Sequence, residues 1–368
     1  MPTICLALIA RNESRCLARC LRSAAPHVDE MLVVDTGSTD DTRAIAAACG
    51  ARVADFAWVD DFSAARNFAL AQTDAAWRLV LDADEWIESG GDALRQAVAA
   101  SDGGLFVGEL SIRSAFDDGA AVRFAPSWIA RFLPRGVRFE GRIHEQAAHA
   151  LPVRRLPVVV GHDGYRRDQQ QIKGDRNERL LRTRLREQPD DAYAHFQLGK
   201  DLQVHDRFGE AAEQFARARA LLGWPPGEAA AALQLQARCG WLHDLAVREI
   251  YCMKRQRAFA DALVLAQAQA PWWQRSPDFQ FAFGDLLLDF ALAQPQRAGQ
   301  LLPLMEASWL RCLQLGEAPH LEGAVEGRGS FLAAHNLAVY YELTGNAAQA
   351  ERFRALARRG EPAAPGLA

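Results

Sequence analysis

Short apolar runs separated by polar turns fill the first hundred residues. Ile4–Ile9, Met31–Val34, Arg52–Trp58 and Trp77–Leu81 read as strands. Runs of this length bounded by polar residues suit a sheet buried on both faces. Between them, Ser14–Ala24 repeats Cys16, Leu17, Cys20 and Leu21 at helical spacing, and Phe62–Ala71 reads as a helix with Ser63 near its cap. The segment Asp35–Thr42 closes the second strand. Gly37 permits a sharp turn there, and Ser38, Thr39 or Asp40 can cap a helix running through Ile45–Cys49 before Gly50 ends it. Strand–helix alternation at this spacing predicts an α/β domain with a mostly parallel, Rossmann-like sheet and helices on both faces.

The pattern changes twice downstream. Residues 104–165 read as strands and loops, with strands at Leu105–Ile112, Val122–Leu133 and Val158–Val160, and from about 168 the chain is almost wholly helical. In Asp191–Leu221, Leu198-Gly199 followed by Ala211, Phe215 and Ala218 has the spacing of a tetratricopeptide unit of about 34 residues. Ser330–Ala357 repeats it with Ala338, Tyr341, Gly345, Ala350 and Ala357, and holds Phe353 one residue early. Leu245–Gln269 and Phe279–Leu315 read as degenerate helical pairs broken near Pro271, Pro277 and Pro295. The expected division is an α/β domain over 1–167, an all-α tetratricopeptide-like domain over 168–360, and a frayed tail over 361–368. Stacked pairs make a short superhelix with a concave face.

Composition narrows the class without naming the chemistry. The 368 residues are 49% hydrophobic and 24% charged, with a net charge of −4, which gives no basic excess for nucleic acid. Seven cysteines scattered among apolar neighbours fit reduced thiols in a cytoplasm rather than a disulfide framework. Cys16 and Cys20 lack a further ligand at zinc spacing, so they read as small buried hydrophobes. No apolar run reaches transmembrane length, and the N-terminal run lacks the basic start and cleavage site of a signal peptide.

Chemistry gathers at the strand exits. In such sheets ligands bind beyond the carboxyl ends of the strands. The exits here carry Ala10-Arg11-Asn12-Glu13, Asp35-Thr36-Gly37 and Asp82-Ala83-Asp84-Glu85. Three carboxylates at one strand end repel one another unless something positive lies among them. A hard divalent cation answers this, because Mg²⁺ or Mn²⁺ takes one or two carboxylates and fills its shell with water and substrate phosphates. The acidic run therefore predicts a metal–phosphate site.

The run VVDTGSTDDT, the following Gly50-Ala51-Arg52-Val53, DDFSAARNFAL at Asp60–Leu70 and LDADEW at Leu81–Trp86 together resemble family 2 glycosyltransferases of the GT-A fold. More narrowly they are similar to bacterial members with a tetratricopeptide C-terminal half, among them peptide S- and O-glycosyltransferases and relatives of lipopolysaccharide-core transferases. RIHEQ (142–146) and GHDGY (161–165) look like elements of that subgroup, and the resemblance covers residues 3–165 closely. It implies that the first strand's exit, including Ala10, Arg11, Asn12 and Glu13, lines the nucleotide base pocket, and that Asp35 hydrogen-bonds base or ribose. It implies that Arg66 and Asn67 hold the nucleotide near the acidic motif. Asp82 and Asp84, with Ala83 between them, would hold Mn²⁺ or Mg²⁺ on a sugar diphosphate, UDP by family habit, and His162 would complete the metal shell. Transfer would proceed with inversion, which asks for one general base on the acceptor side.

Physical chemistry supports that outline. The charge developing on a departing diphosphate must be neutralised where it appears, which a fixed divalent ion does as a Lewis acid. Asp84 is favoured as the direct ligand, with Asp82 behind it or on the ribose. Glu145 is favoured as base because His144 and Gln146 could orient it, with Asp163 second. Plainer roles exist for the same side chains: Asp35 as a helix cap, Arg66 as an ion-pair partner, and His144 and His162 as structural imidazoles. The resulting expectation is a cytoplasmic, metal-dependent glycosyltransferase acting on a peptide, protein, glycan or lipid-linked acceptor. Its repeats would position the acceptor or mediate self-association. The rival is a tetratricopeptide scaffold carrying an inactive transferase remnant. A nucleotidyltransferase would need a glycine-rich loop after the first strand, and an NAD enzyme a G-x-G-x-x-G turn; the sequence has neither.

Overall fold

All four apolar runs enter one eight-stranded sheet, as β1 (Ile4–Ala10), β2 (Glu30–Asp35), β3 (Arg52–Asp55) and β4 (Trp77–Val80). The computed structural model describes residues 2–118, 121–165 and 176–360, without the side chains of 115–118, 121–126 and 163–165. The chain divides into the units Met1–Leu180 and Leu181–Ala368. The boundary expected at 167/168 and the tail expected over 361–368 lie outside the described residues.

The sheet order is β3-β2-β1-β4-β7-β6-β10-β5, where β5 is Glu85–Ser89, β6 Val107–Asp118, β7 Ala121–Pro134 and β10 Val153–Tyr165; β8 (Arg138–Glu140) and β9 (Gln146–Ala148) pair separately. The first four strands run parallel, with Ala10 level with Asp35, Asp35 level with Asp55, and Ala7 level with Val80. Their carboxyl ends therefore leave from one edge. Helices α1 (Leu17–Ala24), α2 (Thr42–Ala48) and α4 (Ala93–Ala99) contribute Leu17, Cys20, Leu21, Ala46, Leu94 and Val98 to one core with Ile4, Leu6 and Leu8. Helix α3 (Phe62–Ala71) contributes Ala69 and Leu70 to a second core with Cys5 and Ala7. Alternate residues of β1 thus feed opposite cores, as period-2 geometry requires for a sheet covered on both faces.

Three local expectations change. The third strand ends at Asp55 rather than Trp58, because the chain turns away to build the start of α3: Trp58 packs edge-on against Phe62 at 4.8 Å and donates to Asp60 at 2.9 Å. Helix α2 has Asp41 at its N-cap without a side-chain cap; Asp40 instead accepts from the Thr42 amide at 3.0 Å. Strand β5 has no counterpart among the expected elements. It starts at Glu85, five residues after Val80 ends β4, yet stands four places away in the sheet order. Four steps of about 4.8 Å exceed what so short a link comfortably spans, so the sheet curls and residues 81–84 cross its mouth.

Beyond α5 (Arg176–Glu187), which carries the division, the regular elements among the described residues of the second unit are all helices. It contains the pairs α6/α7 (Ala192–Val204, Phe208–Leu221), α9/α10 (Leu242–Arg255, Phe259–Gln269), α11/α12 (Pro277–Ala293, Ala298–Leu315) and α13/α14 (Phe331–Leu343, Ala347–Gly360), with α8 (Ala229–Arg238) after the first. Small residues set the close approach within pairs. A Cβ on Gly199 would stand 2.5 Å from the Phe215 ring, and one on Gly284 2.5 Å from the Trp309 ring. Ala211, Phe215, Ala218, Ala350 and Phe353 are buried, so the tetratricopeptide-like spacing marks real packing positions. Prolines punctuate as expected: Pro277 opens α11, and short 3-10 turns occupy Ala270–Trp272 and Pro295–Arg297. Among the described residues no helix is long and apolar enough to cross a membrane.

Candidate active site

The link across the curled sheet is a closed turn. The Glu85 amide donates to Asp82 O at 3.0 Å, and the Asp82 amide donates to the Glu85 carboxylate at 2.9 Å. Four residues closed by such a bond make a β-turn, and here it carries Asp82, Asp84 and Glu85 together. Two buried arginines meet it from beneath. Arg66 on α3 donates to Asp82 Oδ1 at 2.5 Å and also pairs with Glu145. Arg131 on β7 donates through Nη2 to Asp82 Oδ2 at 2.7 Å and to Glu85 Oε1 at 2.6 Å. Burial alone would raise the Asp82 carboxyl, but Arg131 and Arg66 outweigh it and hold the group far below the usual carboxylate range. Glu85 is almost fully buried, and that desolvation lifts its carboxyl above the ordinary value despite Arg131.

On the other side of the turn, Asp84 Oδ2 stands 3.6 Å from His162 Nε2, and both residues are buried. His162 lies on β10 opposite Glu85 of β5 and level with Ser114 of β6. Its Nδ1 is 3.1 Å from Ser114 Oγ, which orients the ring with Nε2 toward Asp84. A carboxylate oxygen and an imidazole nitrogen are donors that a hard or borderline cation accepts, and their 3.6 Å separation lies between the two spacings of an octahedral shell. Donors about 2.1 Å from an octahedral ion stand about 3.0 Å apart when adjacent and about 4.2 Å when opposite. Among the described residues no three His, Cys, Asp or Glu side chains form a closed cage. An ion held here would keep positions for phosphate oxygens and water, as a catalytic rather than structural site must.

The other exits converge on this edge. Asn12 has φ 56° and accepts from the Thr39 amide at 2.8 Å, while its own amide donates to Ser38 Oγ at 3.0 Å. Asp35 is buried, accepts from the Ser38 amide at 3.1 Å and lies 3.3 Å from the Arg43 guanidinium.

Residues 5–132 match the family model described as glycosyl transferase family 2. The first unit carries a family 2 glycosyltransferase domain. Among curated proteins, a TPR repeat-containing protein of Synechococcus elongatus is 36% identical over 218 residues, covering 54% of this chain and 52% of that protein. The SPbeta prophage-derived glycosyltransferase SunS of Bacillus subtilis is 28% identical over 221 residues, covering 57% and 51%. The chain thus spans about half the length of these relatives. A crystal structure of glucosyl-3-phosphoglycerate synthase from Mycobacterium tuberculosis with phosphoglyceric acid shares 27% identity at a TM-score of 0.26, over 32% of this chain and 45% of that one.

Within the glycosyltransferase domain, the fold brings Arg66, Asp82, Asp84, Glu145 and His162 to one locus. Ala10, Arg11, Asn12, Glu13 and Asp35 line the neighbouring exits, Ala10 buried and Arg11 exposed. Much of that polarity builds the loops themselves: Glu13 N donates to Thr42 Oγ1 at 2.8 Å, and Asp35 organises its own turn. Asn67 does not face the cluster's carboxylates. Its carboxamide clamps β8, accepting from Phe139 N at 2.8 Å and donating to Phe139 O at 2.9 Å. Ala83 is a buried link between the two aspartates. Asp163 lies on β10, but its side chain is outside the described residues. Arg131 and Ser114 escaped the sequence reading. An arginine in an otherwise apolar strand, ARFL, was the available signal for Arg131.

Proposed function

We propose that the chain is a metal-dependent inverting glycosyltransferase taking a sugar from a nucleoside-diphosphate donor, UDP by preference. The acceptor would be a peptide or protein, with a glycan or lipid-linked saccharide as the other class. The observation that carries this reading is the Asp84–His162 pair at 3.6 Å, beside carboxylates already engaged by Arg66 and Arg131. A divalent ion bound there would supply Lewis-acid neutralisation of the diphosphate.

The residues have distinct tasks in this account. Asp84 and His162 would hold the ion, with Ser114 fixing the imidazole. Asp82 is withdrawn from that role because both its oxygens accept from guanidinium groups. The β1 and β2 exits would receive the nucleoside. Glu145 is the proposed acceptor-side base: Arg66 engages Oε1 and fixes the carboxylate, with Oε2 as the oxygen for the acceptor proton. Asp163 is the alternative. The helical pairs of the second unit would present or position the acceptor. Buried, unpaired thiols at Cys5, Cys16, Cys20, Cys239, Cys252 and Cys312 support a reducing, cytoplasmic setting.

Purified protein incubated with a panel of nucleotide sugars and Mn²⁺ tests this. Slow metal-dependent release of nucleoside diphosphate from one donor, absent in Asp84→Asn, is expected. Equal release by that variant, or none from any donor, would remove the enzymatic reading.

A further inference from the structure

Arg131 occupies an irregular point in its strand. Gly108 of β6 pairs with Phe132 and Glu109 pairs with Ala130, so Arg131 is the extra residue of a β-bulge. Pairing with β4 ends just before it, at Leu79 opposite Phe132. Bulges re-aim a side chain out of the regular alternation. Phe132 packs into the core against Trp77, stacked at 4.8 Å, while the guanidinium of Arg131 reaches the acidic turn. It is 7% exposed, its Nε has no hydrogen-bond partner, and one nitrogen serves both Asp82 and Glu85. A buried donor left unpaired is costly, so this placement satisfies the two carboxylates at the expense of the arginine's own bonding.

The consequence lies in which acid meets a metal. Asp82, Asp84 and Glu85 sit within four residues, and a hard cation binds carboxylates with little discrimination of its own. Asp82 and Glu85 are occupied by Arg131, and Asp82 by Arg66 as well, whereas Asp84 faces His162. We propose that Arg131 is a positioning residue that withholds Asp82 and Glu85 from the metal and so directs it to Asp84 and His162. The inference rests on the metal site proposed above and adds a rule for choosing among its acids. Neutralising Arg131 releases Asp82 Oδ2 and Glu85 Oε1 beside the site, while Arg66 still holds Asp82 Oδ1, so the ion can be held without Asp84. It then lies displaced from the position that serves the diphosphate.

The test is Mn²⁺ binding by full-length protein without nucleotide, read from the EPR signal of free Mn²⁺, in four proteins: wild type, Asp84→Asn, Arg131→Gln and the double variant. Asp84→Asn should weaken binding by about tenfold or more in the wild-type background, and by no more than about threefold when Arg131→Gln is present. Arg131→Lys, which keeps the charge, should restore the full dependence on Asp84. An equal loss in both backgrounds overturns the withholding role. Wild-type affinity in Asp84→Asn alone instead removes the metal site itself and the inference with it. If Arg131→Gln does not fold, a crystal structure of the Mn²⁺-loaded wild type decides. Ligation by Asp84 and His162 with Asp82 still on the arginines supports the proposal, and Asp82 in the coordination shell overturns it.

Discussion

Gly161 sits one residue before His162, and the space it leaves is filled by Trp86. An added Cβ would stand 2.3 Å from two atoms of the indole and 2.8 Å from Nε1. Real contacts of that kind need about 3.5–4.0 Å, so in Gly161→Ala the ring must retreat by more than an ångström. The Arg19 guanidinium lies over the same ring, 3.7 Å from its centroid. Arg19 is exposed and can yield, at the loss of a cation–π contact of about 0.5–1 kcal/mol. Trp86 is itself on β5, paired with Gly161, so moving it also strains the β5–β10 ladder. Overpacking of this kind costs about 1–3 kcal/mol, which in a unit of this size lowers the melting temperature by roughly 2–12 °C. Differential scanning calorimetry on the full chain measures the loss, and Gly161→Ala/Trp86→Leu should recover much of it by removing the clash. Because His162 follows Gly161, Mn²⁺ affinity should fall with the single substitution and return with the double. An unchanged melting temperature in Gly161→Ala, or no recovery in the double variant, would show that Trp86 does not brace this strand.

Two further expectations concern the frame around the site. Asn67→Ala deletes both bonds to the Phe139 backbone and should destabilise the first unit by about 1–3 kcal/mol in a urea melt; no change would remove the clamp. Asp60 is held down to about 2 by Arg179 and by the Trp58 indole. A depressed folded-state pKa gives stability that is present above the unfolded value and lost as pH falls through the folded one. The advantage of wild type over Asp60→Asn should therefore shrink between about pH 4 and pH 2, and a constant difference across that window would contradict the pairing. Asn suits the substitution because residue 60 has φ 57°, a conformation Asn tolerates.

The sequence made the local half of this site legible and left the long-range half hidden. Apolar runs ending in ARNE, DTGS and DADE marked the strand exits, because period and turn chemistry are short-range signals. The same logic located the helical hairpins through Gly199, Phe215 and Phe353. Strand β5 was missed because EWIES is half polar, and its strand character comes from pairing with β10, more than seventy residues away. Arg131 was missed for a related reason: a bulge exists only relative to its partner strand. The acidic run asks for something positive beside it, and the fold brings guanidiniums there from α3 and β7. Arg66 and Arg131 both meet Asp82, and Arg131 also meets Glu85.

In the proposed mechanism a divalent ion at Asp84 and His162 would carry the nucleoside diphosphate. Calorimetric titration of UDP into wild type and Asp84→Asn, each with and without Mn²⁺, tests it most directly. UDP should bind at least about tenfold tighter with Mn²⁺ in the wild type and show no metal dependence in the variant. UDP affinity indifferent to Mn²⁺ in the wild type, or full metal dependence surviving in Asp84→Asn, would contradict it.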